Sequence, residues 1–393
     1  MAIRKRHDSI ASKNSPVRRV RNAGRLKELI LYVRAGGRCE FDGCNKYLLR
    51  NPLTLTQANF GKKAHIVAFK ESGPRGRQGR RPKDINAPSN LMLLCSTCHD
   101  EIDKHPEKHP RQVLELFKVA HEKRIELVTA AGPDRKTAVV QFKAKIGGKD
   151  VAIPAPDVFA AVAPNFPEND QGLIIDCCAF DDRNPRFMAL AAAEIDRKLQ
   201  PLLEPRMQGE IPRHVSLFAF GPIPLLVHLG SRLSDKMPVD FYQYHRDTKS
   251  WVWKKRGDPA RYIHTKLREG TNPNKVALTL SLSGKIGLGD LPPDIDGSFT
   301  VFELTLTGQT PNTMFLNTRA DLDAFRVAYQ LLLGEILAGH GMLDTIHLFP
   351  AVPVPIAVMC GHDLLNKTHP SLRVYDHDKA NGGFTYQLTV NER

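Results

Sequence analysis

Apolar positions recur at helical spacing first in residues 25–35 (RLKELILYVRA). There Leu26, Leu29, Ile30 and Val33 fall every third or fourth position until Gly36-Gly37 stops the run. Residues 38–70 alternate cysteine turns with short apolar runs, and residues 111–128 (RQVLELFKVAHEKRIELV) regain the helical spacing. Ala131-Gly132-Pro133 reads as a boundary. Beyond it, short buried-strand patterns at 172–180, 214–220, 239–245, 276–282, 299–306, 343–349 and 384–390 interleave with helical patterns at 186–203, 222–233, 319–338 and 353–360. That alternation predicts α/β layers around a largely parallel sheet. Residues 216–230 (SLFAFGPIPLLVHLG) and 347–361 (HLFPAVPVPIAVMCG) match at six of fifteen positions, at an offset of 131. Each reads as a strand, a turn and a helix opened by prolines, which lack the N–H that the first helical turn does not need. The same offset aligns Tyr244 with Tyr375 and Asp247 with Asp378, so a duplication is expected.

The charge distribution divides the chain at the same boundary. Residues 1–130 hold 27 Lys and Arg against 13 Asp and Glu, whereas residues 131–393 hold 29 of each. The whole excess of +14 therefore lies in the first third, where it suits a polyanion such as DNA. Residues 1–23 read as a basic flexible arm, and 72–83 (SGPRGRQGRRPK) as an exposed loop near phosphates that cannot pack a core. No apolar run approaches the roughly 18 residues of a membrane span, and residues 1–23 lack the apolar centre of a secretory signal. A cytoplasmic protein without a membrane partner is expected. Seven cysteines in this length do not suggest a disulfide scaffold, and Cys177, Cys178 and Cys360 lie in apolar runs as small buried residues.

The other four cysteines carry chemistry. Cys39-x4-Cys44 and Cys95-x2-Cys98 are two short-spaced pairs separated by a long loop, the pattern of a structural zinc site. Between them lie His65 and Asn90, and His99 follows Cys98. A helix opening near Cys95 would put His99 and Asp103 on one face, four residues apart. This order of His65, Asn90 and His99, interleaved with four cysteines, resembles the HNH nuclease family. The resemblance implies an α+β ββα-metal domain and metal-dependent DNA endonuclease activity. His65 would be the general base, Asn90 would orient that base or its loop, and His99 would hold Mg2+ or another divalent ion. Asp103 is a further candidate ligand, because Ala64 stands where many members have an acidic or histidine ligand.

The repeat, with LSLSG (280–284) and GGFTYQLTV (382–390), resembles the SAVED domain, an α/β fusion of two CARF-like, Rossmann-type halves. Such domains sense cyclic oligonucleotides in the bacterial anti-phage systems called CBASS. The resemblance implies a cyclic dinucleotide or related second messenger as activator, and a homo-oligomer, dimer or tetramer, on activation. Aromatic, amide and cationic side chains suited to such a ligand cluster at Tyr242, Gln243, Arg246 and Trp253, and Lys367 is a candidate phosphate ligand. The expected organisation is an arm (1–23), a zinc-containing nuclease domain (24–130) and a sensor (131–393) with halves at about 150–265 and 266–393. A ligand-responsive, zinc-containing DNA-binding regulator without hydrolysis is the alternative.

Overall fold

The computed structural model describes residues 24–130, 132–146, 148–149, 152–169, 171–203, 213–233, 237–365, 367–378 and 382–392. The expected basic arm, 1–23, lies outside them. The chain forms two compact units that meet at Ala130–Ala131.

The first unit contains α1 (Arg25–Arg34), β1 (Lys62–His65), β2 (Leu91–Leu94), α2 (Ser96–Lys104) and α3 (Arg111–Thr129). Strands β1 and β2 pair antiparallel, Ala64 opposite Met92 and His65 opposite Leu91. All four β2 residues are buried, and they form the core with Leu31, Ala35, Leu48, Ile66, Ile102 and Leu114. Side chains alternate along a strand, so Ala64 faces this core and His65 the other side. Position 64 therefore offers no ligand to a site around His65.

The second unit contains β3 (Lys136–Lys143), α4 (Ala155–Val162), β4 (Phe166–Pro167), β5 (Leu173–Asp176), α5 (Phe187–Leu203), β6 (Val215–Phe220), α6 (Ile223–Leu233) and β7 (Val239–Phe241). Then follow β8 (Tyr262–Arg268), β9 (Val276–Ser281), β10 (Thr300–Leu306), α7 (Arg319–His340), β11 (Thr345–Ala351), α8 (Val354–His362), β12 (Ser371–Asp378) and β13 (Gly383–Val390). The described residues of this unit form two sheets. The first runs β5-β3-β6-β7, all parallel, with β4 beside the start of β3. The second has the parallel core β10-β9-β11-β12, flanked by antiparallel β8 and β13. Within each sheet the parallel strands take the order 2-1-3-4 along the chain, the start of a doubly wound layer. The halves begin differently from expectation: β3 lies upstream of residue 150, and β8 spans the 265/266 boundary but belongs to the second sheet.

The duplication is visible where the halves join. Helices α6 and α8 cross so closely that a Cβ on Gly230 would lie 1.9 Å from the carbonyl oxygen of Val358. A Cβ on Gly361 would lie 1.9 Å from that of Val227. Both pairs are related by the 131-residue offset, so the repeated residues meet reciprocally about a local two-fold axis. The offset fails at the next strand. Leu217 pairs with Phe241, and its counterpart Leu348 pairs with Val374, a shift of 133. In keeping with this, Tyr242 stacks on Phe218 and Tyr375 on Phe349, each with ring centroids 4.4 Å apart. Tyr242, not Tyr244, is therefore the counterpart of Tyr375, because the stretch from Gly230 to Tyr242 is two residues shorter than that from Gly361 to Tyr375.

Candidate functional site

The cysteine pairs converge. Cys39 and Cys44 lie in the turns after α1, while Cys95 and Cys98 open α2, whose first turn is capped by Cys98 N–H donating to Cys95 Sγ (3.4 Å). All four sulfurs lie within 4.8 Å of one another, and Cys44 Sγ is 3.9 Å from Cys95 Sγ. A tetrahedral ion with Zn–S bonds of about 2.3 Å holds sulfurs roughly 3.8 Å apart, so the donor set fits zinc. Burial pushes the Cys39 thiol up to about 12, a cost that a bound cation would offset by stabilising the thiolate. Among the described residues this is the only group of three or more His, Cys, Asp or Glu side chains able to share a metal.

Beside it, β1 and α2 line a cleft of about 600 Å³ that brings together His65, His99 and Asp103, with Lys62, Lys63, Lys70, Arg75 and Asn86 around them. His65 Nε2 lies 2.9 Å from Asn86 Oδ1. An amide oxygen only accepts, so Nε2 donates in this contact, and Nδ1 is the nitrogen that bears the lone pair in the neutral ring. Asn86 is itself held, its N–H donating to Asp84 Oδ1 (3.0 Å), and Asp84 pairs with Lys27 of α1. One turn along α2, His99 Nδ1 lies 3.7 Å from Asp103 Oδ2, the juxtaposition that the i, i+4 spacing predicts.

Asn90 is buried and does not orient the imidazole. Its Oδ1 accepts from Val67 N–H (3.0 Å), and its Nδ2 donates to the carbonyls of Val67 (3.0 Å) and Ile85 (2.9 Å). It fixes the loop that leaves β1, while Asn86, which the sequence does not single out, meets the histidine. The glycine- and arginine-rich segment is also different from expectation. Arg75 is buried, and Arg81 donates to the carbonyls of Gly76, Ala68 and Phe69 at 2.9–3.1 Å, so the loop folds on itself. Guanidinium groups satisfy backbone carbonyls here in place of an apolar core.

In the second unit the expected ligand residues divide between two hollows. Gln243 and Arg246 line a crevice of about 210 Å³ with Ser283, Asn317, Pro353 and Val354. It lies beyond the carboxyl ends of β9 and β11, where the strand order reverses and open α/β sheets bind ligands. The amino terminus of α8 borders it. Two enclosed polar atoms of this rim, Gln243 Oε1 and His245 Nε2, have no hydrogen-bond partner among the described residues. Tyr242 and Trp253 instead line a separate hollow of about 650 Å³ near the starts of β3, β6 and β7, and Lys367 borders neither. Tyr242 is held in the core by Phe218, and Trp253 Nε1 donates to Phe241 O (3.2 Å). Trp251 is wholly buried against Phe218, Phe220 and Tyr244. No helix among the described residues is long and apolar enough to cross a membrane.

Comparison with known proteins separates along the same boundary. Residues 39–106 match the family described as HNH endonuclease, and residues 195–390 match the SMODS-associated and fused to various effectors sensor domain, SAVED. Similar solved structures include the Acinetobacter baumannii Cap4 SAVED/CARF-domain containing receptor with the cyclic trinucleotide 3'3'3'-cAAA. That likeness has 11% identity and a TM-score of 0.42, and covers 75% of this chain and 60% of that one. The Moraxella osloensis Cap4 SAVED/CARF-domain containing receptor is similar at 13% identity and a TM-score of 0.40, covering 74% and 63%. The chain thus spans about 60% of the length of those receptors. No curated protein sequence matches it. One family match falls inside each compact unit, so the chain joins a region that matches the HNH endonuclease family to a region that matches the SAVED sensor-domain family.

Proposed function

We propose that this protein is a metal-dependent DNA endonuclease of the CBASS type of anti-phage defence, inactive until a cyclic oligonucleotide occupies its sensor unit. The observation that carries the reading is the cleft in which His65, His99 and Asp103 meet, within the unit that holds the chain's entire charge excess. Hydrolysis of a phosphodiester needs a base for water, and His65 has its orientation fixed through Nε2 and its lone pair on Nδ1. Lys62, Lys63 and Lys70 at the cleft provide charge for flanking phosphates. A divalent ion would be held by His99 with Asp103, the remaining positions falling to water and phosphate oxygens, and would offset the charge developing on the phosphate. The four cysteines would hold zinc and keep α2 at its angle to β1.

For the sensor, Arg246 and the first turn of α8 offer positive charge to phosphates, and the Gln243 amide can meet a base edge. Sites for compact ligands usually enclose about 300–1,000 Å³, more than this crevice holds. A cyclic dinucleotide bound here would protrude, leaving one face for a second copy to cover, which links occupancy to self-association. The test is to incubate the protein with plasmid, Mg2+ and a panel of cyclic oligonucleotides while light scattering follows its mass. Cleavage and a mass increase should require the same nucleotide. His65→Ala should bind it without cutting, and Arg246→Ala should need more of it to cut. Cleavage at full rate without any nucleotide, or binding of DNA with no cleavage under every condition, would sink the proposal. The latter result would favour the DNA-binding regulator.

A further inference from the structure

Arg75 lies in the segment whose composition predicts an exposed loop, yet its side chain has no solvent exposure. Its backbone takes the left-handed conformation (φ 59°), uncommon for a residue with a side chain, so the turn is held by more than local preference. The guanidinium reaches two elements. Nε donates to the carbonyl oxygen of Ile66 (2.8 Å), the residue after His65. Nη1 donates to the carbonyl oxygen of Ile102 in α2 (2.6 Å), and Nη2 lies 3.4 Å from Asp103 Oδ1. The other Asp103 oxygen is the one near His99. Burial lowers the affinity of this guanidinium for its proton, and the Asp103 carboxylate opposes that effect only in part.

We infer that Arg75 is a positioning residue for the nuclease reaction, and that it sets the spacing and relative orientation of His65 and the His99–Asp103 pair. The two halves of the cleft come from different elements, a strand exit and a helix. Asn90 fixes the strand exit to the segment before β2 and does not touch α2. The cysteine cluster fixes the first turn of α2, whereas Asp103 lies two turns further on. Only Arg75, among the described residues, binds both the backbone after His65 and the part of α2 that carries Asp103. A planar fork with five donors can hold three acceptors in fixed directions, which an ammonium cannot.

The inference rests on the nuclease reading, so the test has an arm that does not. Arg75→Lys and Arg75→Gln would be compared with wild type for DNA cleavage, zinc content and hydrogen exchange. The expected result is a folded, zinc-loaded variant whose kcat falls about 100-fold with KM for DNA nearly unchanged, since an ångström of misplacement can cost that much. Lys should retain more activity than Gln, and combination with Asp103→Asn should cost less than the product of the single effects. Exchange should quicken in residues 66–76 and 101–104 while amides around Cys39 and Cys44 stay protected. A wild-type kcat in either folded variant would overturn the inference, as would failure of both to fold, which would make Arg75 a determinant of folding alone. If wild type does not cut DNA at all, the nuclease reading fails, and unchanged exchange in 66–76 and 101–104 would then dispose of the tether as well.

Discussion

Substituting alanine for Gly230 places a methyl group 1.9 Å from the Val358 carbonyl oxygen, where real side chains keep at least 3.0 Å. Helices α6 and α8 must therefore part by about 1.1 Å, the difference between those distances, because the obstacle is backbone and cannot rotate away. Seven residues of α6 are buried, and so are Pro355 to His362 of α8. A gap of 0.5–1 Å forfeits roughly a quarter to a half of each dispersion contact. Overpacking usually costs about 1–3 kcal/mol, and a backbone overlap belongs at the upper end. At roughly 2–4 °C per kcal/mol for a unit of this size, Gly230→Ala should lower the midpoint by about 6–12 °C. Both tryptophans of the chain, Trp251 and Trp253, lie in the second unit, so their fluorescence reports its melting separately from the first. Gly361→Ala should behave alike. The double variant should melt close to either single one, because a single parting of the helices relieves both overlaps. A shift below about 2 °C for either variant, or a double shift equal to the sum of the two, would refute the reciprocal crossing.

Three further outcomes are expected. Asn86→Ala removes the acceptor that orients His65 and should reduce kcat by about 100-fold with little change in KM; equal loss in both would show that Asn86 contacts substrate instead. Cys95→Ser should abolish bound zinc, counted by metal analysis at one per wild-type chain, and unfold the first unit while the tryptophan-reported melt is unmoved; nuclease activity without zinc would remove the structural assignment. Burial holds the His347 imidazole, packed on Tyr375 and Phe299 and facing Arg373, Lys275 and Asp294, down at about 4. Its folded value lies below its unfolded one, so the stability it confers is complete above about pH 6.5 and is lost as pH falls towards 4. His347→Gln should flatten the melting profile over that range, an unaltered slope contradicting it.

Helices α1, α3, α5 and α7 are plain in the sequence because each keeps an apolar stripe at helical spacing, and α6 and α8 because prolines open a compact apolar run. The missed strands are of another kind. In β8 (YIHTKLR) and β12 (SLRVYDHD) polar and charged residues interrupt the apolar ones. β8 is an edge strand with one face in solvent, so its apolar signal is thin. Short α4 follows a segment rich in Gly and Pro, which hides its spacing. At the nuclease cleft the metal-type residues were legible because ligand spacing is imposed by one turn of chain. Asn86 and Arg75 were not, since each acts on a group 21 and 9 residues away through a loop whose path no periodicity encodes.

The order of the two units has a consequence during synthesis. The cysteines and the cleft are complete once residue 130 has emerged, and a further 263 residues follow before the sensor exists. At about 5–20 residues per second that interval is roughly 13–50 s. A sensor that worked by covering an otherwise competent nuclease would leave every growing chain uninhibited for that time, beside the host's own DNA. A nuclease that is incompetent alone, and gains activity only when finished copies are assembled, carries no such hazard. On the proposed function, a nuclease unit that precedes its sensor along the chain is thus compatible with activation by gathering, and poorly compatible with release from a lid.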